Sequence, residues 1–385
     1  MKHALAYYFG SEIFLSTGIG IVLYALPFYY VSHHTTDTVV GFLFAVNAVC
    51  GGLAALLLGP VADRIGASKV WKWSSAMLPI SYLLTCSTHI LTLWFFTTAL
   101  AGLSGSLLMS TENVVLSSLS KTQEKSGILS KFVAMYMFVM GAGSILSGQL
   151  CADFGFQTAV EIGAVVSLCA LPFRLLVHAP DNIAHRAFRP PSQRILAMSG
   201  YACLFGVGSA MLNQFATLIV HNQFGLSTSV TSWVSAAATF MISLGSWFVS
   251  TLIRWWRRNP TLLISYLSSI GITAAMALTR NPYAFSGLYL GRTAMTAIPG
   301  PIIDATFLDM TPSTDFSQMF GVRVFGTNVG TAIGSSFGGI MLGRHFVSLI
   351  ALTSALVFVA AGIYLFILLR KVSISVEHHI INSAG

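Results

Sequence analysis

The chain has 385 residues, of which 55% are hydrophobic and only 8% charged, with a mean hydropathy of +0.77. A soluble protein is about 25% charged, and a soluble chain of this length needs far more polar surface to cover its core. A soluble globular protein is therefore excluded, and the formal charge of +8 has to be read from where the bases sit.

The apolar runs are too long for the short alternating segments of an outer-membrane barrel. In chain order they predict an all-α integral membrane protein with twelve spans, at 7–31, 38–58, 70–88, 91–117, 130–151, 156–177, 195–219, 229–253, 261–279, 283–308, 321–342 and 346–369. Each is near the ~20 residues needed to cross hydrocarbon. The connections are short and leave no room for a separate soluble domain. Lys2 and His3 precede a first run that is too long for a signal-peptide core and has no clear cleavage site, so it is read as a retained span.

The bases fall at alternate gaps. Arg64, Lys69 and Lys72 follow span 2, and Lys121, Lys125 and Lys131 follow span 4. Arg186, Arg189 and Arg194 follow span 6, Arg254, Arg257 and Arg258 follow span 8, and Arg370 and Lys371 follow span 12. The gaps after odd spans hold only Arg280 and Arg344. The positive-inside bias puts both termini and every even gap in the cytoplasm of a cell membrane. The basic excess is thus a topology signal, and no nucleic-acid partner is expected. In "RWWRR" (254–258) tryptophans stand beside arginines, as at a headgroup interface.

Cys50, Cys86, Cys151, Cys169 and Cys203 lie in or at the ends of apolar runs without a CxxC pair, and read as small apolar fillers. The histidine pairs at 33–34 and 378–379 have no third ligand at helical spacing, so no metal site and no cofactor are expected.

The chain repeats at about half its length. "ENVVLSSLSKTQEKSGILSK" (112–131) aligns with "DATFLDMTPSTDFSQMFGVR" (304–323), so that Glu112 meets Asp304 and Lys131 meets Arg323. "GSILSG" (143–148) aligns with "GSSFGG" (334–339), and Gly10 and Gly18 with Gly200 and Gly208. Agreeing offsets imply two six-helix halves related by an axis along the membrane normal. The expected division is 1–178, a basic cytoplasmic linker 179–194, 195–371 and a tail 372–385.

The gap after span 2 reads "GPVADRIGASKV" (59–70). It resembles the cytoplasmic loop motif of the major facilitator superfamily, with Gly59, Asp63, Arg64, Gly66 and Lys69 in register and Ala67 and Ser68 where basic residues are usual. Physically, Gly59 permits close packing, Gly66 a tight turn, and Asp63 a negative charge for the positive N-terminus of another helix. The resemblance implies that this helix is span 11, near Arg323. The equivalent gap "STLIRWWRRNP" (250–260) keeps the arginines and lacks the Gly and Asp. "GAGSILSGQL" (141–150) is similar to the glycine-rich exporter motif of helix 5, with Ser144 and Ser147 at its Pro and Gly positions; small-residue packing alone explains it equally well. The resemblance covers the whole chain and is nearest to bacterial drug- and metabolite-efflux members.

Ionisable residues inside spans are functional candidates by default. Glu12, Glu112 and Asp304 lie toward the cytoplasmic ends of their spans, the latter two about eight residues, or ~12 Å, from the span centres. Glu112 is expected to pair with Lys131 and Asp304 with Arg323, as gate elements beside Gly59, Asp63, Arg64 and Gly66. Glu12 has no basic neighbour in sequence and is the candidate proton-coupling group. Glu161 falls on a span that the resemblance makes peripheral, and reads as structural. Arg292 is nearer mid-depth and is expected to face the cavity between the halves, touching an acidic substrate group or a carboxylate of another span; the matching first-half residue is Leu100. Pro299-Gly300-Pro301 should break span 10. Asn213, Gln214, Asn328 and Tyr24 complete the candidate substrate set, with Trp233 as further aromatic surface.

These readings describe a monomeric secondary transporter, expected to export a small amphipathic or weakly anionic molecule in exchange for protons. An ion-coupled importer on the same fold is the alternative. An enzyme is disfavoured, because no metal cluster, nucleophile elbow or phosphate loop occurs.

Overall fold

In a computed structural model, residues 2–58, 65–119, 125–179, 190–312 and 315–383 are described. Gly59, Asp63, Arg64 and linker residues 180–189 lie outside them. Helices occupy every predicted span. The first half runs Lys2–Ser32, Asp37–Leu53 with a π-turn Ala54–Leu58, Ala67–Cys86, Leu91–Ser118, Lys125–Phe154, and Phe156–Leu168 followed by Ala170–Leu176. The second runs Gln193–Asn213 with Ala216–Leu218 and a π-turn Ile219–Gln223, Thr228–Trp256, Arg258–Leu278, Pro282–Ala297 followed by Pro299–Asp309, Phe316–Gly343, and Val347–Ser383.

Among the described residues, nine helices are long and apolar enough to cross a membrane by length and composition. The other three fall short for local reasons. Span 3 carries Lys69, Lys72 and several serines; span 10 is cut in two by its prolines; span 11 is rich in glycine and serine. Backbone bonds internal to each helix are the physical reason that such runs fold this way in lipid. Polar caps start several of them: Thr36 accepts from the Val39 amide, Ser227 from Val230, and Asn281 from Tyr283 and Ala284 ahead of Pro282. Gly66, at φ 109, makes the turn into span 3, a backbone conformation that favours glycine.

The packing repeats with the sequence. Span 5 lies between span 1 of its own half and span 8 of the other; span 11 lies between span 7 and span 2. The two glycine stretches make both contacts. Ser147 donates to the Ile21 carbonyl at 2.8 Å, while a side chain on Gly148 would strike Ser232. A side chain on Gly334 would strike the Val207 backbone, and one on Gly339 would strike Asp37 and Gly41. Small residues here set helix-to-helix distance.

Contacts between the halves run along spans 2 and 11 and spans 5 and 8, and one set lies on the face opposite the termini, hereafter the far face. Tyr24 donates to the Thr228 carbonyl at 2.5 Å, Thr38 to the Gly339 carbonyl at 3.4 Å, and the rings of Phe28 and His221 lie 5.2 Å apart. Phe44 meets Phe215 at 6.0 Å. The far face is therefore closed. A Cβ on Gly41 would stand 2.5 Å from the Ser335 carbonyl oxygen, a backbone atom that cannot swing aside. Gly41→Ala is accordingly expected to separate spans 2 and 11 there. Spin labels at the exposed His34 and Arg344 should report a longer mean distance than in the parent protein, and an unchanged distance distribution refutes the expectation.

Candidate functional site

The first half encloses a charged cluster that joins four spans. Pro172 lacks an amide hydrogen and its ring crowds the carbonyl four residues back, so span 6 stops at Leu168 and restarts as Ala170–Leu176. The short restart carries Arg174 inward, where it is fully buried. Its Nη2 lies 2.8 Å from Glu12 Oε2 in span 1 and 2.9 Å from Glu112 Oε1 in span 4. Nη1 donates to Ser75 Oγ in span 3, and Nε to Ser11 Oγ at 3.4 Å. The guanidinium stands 4.4 Å from the Trp71 ring, which stacks on Tyr8 at 5.2 Å. Ser16 donates to Glu12 Oε1 at 2.5 Å. Two carboxylates thus share one cation inside the protein. The cluster carries one net negative charge when all three groups are ionised, and none once a single proton is added.

This arrangement corrects two expectations. Glu112 does not pair with Lys131, which is exposed; it pairs with Arg174. Glu12 does have a basic partner, which sequence proximity could not reveal, since 162 residues separate it from Arg174. Arg174 lies outside the aligned repeat stretches, which fall in spans 1, 4 and 5 and their counterparts 7, 10 and 11. One signal was available: two buried acids at similar depth require a counter-cation.

The second half holds a different arginine. Arg292 is fully buried and donates through Nε to Thr273 Oγ1 at 3.2 Å, through Nη1 to Asn213 Oδ1 at 2.6 Å and through Nη2 to the Gly208 carbonyl at 3.2 Å. Phe358 in span 12 lies 5.3 Å from the guanidinium. All these partners belong to the second half, so Arg292 is enclosed there and does not face the opposite half as expected. No carboxylate is among these partners. Arg292→Lys cannot reproduce the three-way fork, and each of the two buried acceptors left bare, Thr273 Oγ1 and the Gly208 carbonyl, costs ~1–3 kcal/mol. A lowered thermal midpoint in Arg292→Lys and Arg292→Gln, read by fluorescence-detected gel filtration, is the expected result; parental midpoints mean that the fork is not structural.

The remaining candidates are placed as follows. Asn213 is exposed at the end of its helix, with its Nδ2 on Ser209 Oγ at 2.9 Å, and Gln214 beside it is half-buried. Asn328 donates to the Val324 carbonyl at 2.9 Å and packs on Gly51 and Gly52 of span 2. Tyr24 is buried in the contact between the halves, whereas Asn328 is half-buried. Trp233 is exposed. Asp304 pairs with Arg323, Nη2 to Oδ2 at 3.2 Å, and Phe320 lies 5.7 Å from that guanidinium; both charged side chains are partly solvated. Nearby, Arg258 bonds Asp309 at 3.0 Å. Span 10 breaks at Ile298, before Pro299. Glu161 accepts from Gln157 at 2.9 Å. The five cysteines are free, and among the described residues no cluster suits a metal ion.

Known proteins share this architecture. The nucleoside transporter NupG superposes with a TM-score of 0.75 at 13% identity, over 96% of this chain and 100% of that one. A point mutant of NupG gives 0.74 at 14% identity, over 95% and 99%. Multidrug resistance protein 2 of Bacillus subtilis (strain 168) is 23% identical over 164 residues, 42% of this chain. The match spans 40% of that relative's length. The family model of the Major Facilitator Superfamily matches residues 8–299. The chain belongs to the Major Facilitator Superfamily and is a membrane transporter, not an enzyme.

Proposed function

We propose that the protein exports a small amphipathic or weakly anionic molecule by alternating access, in exchange for protons. The observation that carries the coupling is the Glu12–Arg174–Glu112 cluster. A buried site that changes from one net negative charge to none on taking one proton differs sharply in the cost of leaving or entering a dry environment. It is therefore suited to biasing two conformations. The pair Asp304–Arg323, together with Lys131 and the loop residues Gly59, Asp63, Arg64 and Gly66, forms the gate on the face that carries the termini. Asn213 and Gln214 contact substrate, with Arg292 holding Asn213 in place, while Tyr24 and Asn328 hold the halves together.

The halves comprise 1–178 and 195–371, joined by 179–194 and followed by a tail, 372–385. The protein works as a monomer in the cell membrane with both termini cytoplasmic, as the distribution of lysine and arginine supports. The similarity to a multidrug resistance protein supports export. The fold is shared with a nucleoside transporter, and an ion-coupled importer of a small nutrient on this fold is the second reading. Vesicles separate the two. With an acid interior, vesicles carrying the protein should accumulate amphipathic fluorescent solutes, because protons leaving down their gradient drive the exchange inward, whereas a proton-coupled importer accumulates solute only with an acid exterior. Accumulation only with an acid exterior overturns proton-exchange export.

A further inference from the structure

Spans 3 and 6 pack together, and the side of this pair that faces away from Arg174 carries a groove of about 320 Å³. Span 3 contributes Lys69, Lys72 and Trp73, then Ala76 and Met77 one turn deeper. These positions recur at the helical spacing of three and four, so they form one stripe. Leu171 and Leu175 of span 6, four residues apart, form the other wall. Trp73 and Leu175 are 72% and 57% exposed, which in a membrane-spanning bundle makes this a lipid-facing surface. The opposite face of the same helix turns is buried: Trp71, Ser74, Ser75 and Leu78 in span 3, and Arg174 in span 6.

The chemistry changes along the groove. Its shallow end, next to the turn at Gly66, has two ammonium groups and an indole; its deep end is wholly apolar. Lysines and tryptophan mark headgroup depth, and the apolar walls continue in the direction of an acyl chain. We propose that this groove binds one anionic phospholipid of the leaflet on the termini side, with its phosphate between Lys69 and Lys72 and one acyl chain along Met77, Leu171 and Leu175. Charge complementarity selects the occupant: two ammonium groups favour a headgroup with net negative charge over a zwitterionic one. The bound chain lies directly behind Ser75 and Arg174, so that the lipid braces the two helices holding the buried cluster. The inference is independent of transport direction.

Brominated lipids quench nearby tryptophans, and the difference between the parent and Trp73→Phe isolates the Trp73 signal. The protein is reconstituted in phosphatidylcholine vesicles containing increasing fractions of brominated phosphatidylglycerol or brominated phosphatidylcholine. Phosphatidylglycerol should quench Trp73 at a mole fraction about 25-fold lower, ~1 kcal/mol for each of the two lysines. In Lys69→Gln/Lys72→Gln that preference should fall by about fivefold per lysine removed. Equal quenching by the two lipids in the parent, or an unchanged preference in the double variant, overturns the proposal. If the double variant does not elute as a single peak, the parent carries the test: raising NaCl from ~50 to ~500 mM should remove most of the preference by screening, and a salt-independent preference overturns it.

Discussion

Arg174→Met is expected to destabilise the protein by about 3–5 kcal/mol, because it leaves Glu12 and Glu112 buried and facing each other without their cation. Ser75 and Ser11 lose their donor at the same time, and Trp71 loses the guanidinium over its ring. The mutant should express poorly, with a thermal midpoint well below that of the parent. The same principle gives the control. Replacing a buried ion group as a whole by neutral side chains of similar volume is often neutral or stabilising. Arg174→Met combined with Glu12→Gln and Glu112→Gln should therefore regain a thermal midpoint near the parental one, yet fail to couple transport to protons. If the triple variant is no more stable than the single one, the cluster is not an electrostatic unit. If it both folds and concentrates substrate against a gradient, the cluster is not the coupling site.

The apolar runs made the membrane helices legible, nine of them among the described residues long and apolar enough to cross, since hydrocarbon leaves a chain few other ways to satisfy its backbone. The half-repeat made the symmetry of packing legible too: the stretches at 143–148 and 334–339 occupy equivalent places, each against a span of both halves. The pair Asp304–Arg323 could be anticipated because its members are 19 residues apart on consecutive spans. The cluster around Arg174 could not. Its members come from spans 1, 3, 4 and 6, and their meeting depends on the restart that Pro172 imposes. Apolar periodicity says which residues cross the membrane and says little about which faces of distant spans meet.

Arg292 illustrates the converse limit. Its depth and its cost were readable, but the direction in which it points was not. Mid-depth arginine needs partners, and the sequence offered two classes: a ligand between the halves, or acceptors within one half. Neutral acceptors on spans 7 and 9 filled that role. The backbone carbonyl of Gly208 is one of them, and a carbonyl has no sequence signature.

Glu112→Gln is expected to uncouple transport without stopping it. In the parent, two carboxylates compete for one guanidinium, and adding one proton converts a net charge of −1 to zero. The proton belongs to the cluster rather than to either acid, because both carboxylates lie on the same guanidinium. Glutamine at position 112 keeps the size and part of the hydrogen bonding but removes the choice: Glu12 and Arg174 remain as a one-to-one ion pair. That state resembles the protonated parent, so the alternation between conformations persists, while its dependence on protons disappears. Solute exchange between identical compartments should continue at a rate within about tenfold of the parent. Accumulation driven by a pH gradient should vanish, where one coupled proton supports about tenfold concentration per pH unit. Glu12→Gln should behave alike, leaving Glu112 with Arg174, although its single amide oxygen cannot accept from both Ser16 and Arg174, and it should cost somewhat more stability. Both variants are read in the vesicles that decide transport direction, with an internal pH dye reporting solute-driven proton movement. If either variant still concentrates solute with parental pH dependence, the proton is carried elsewhere.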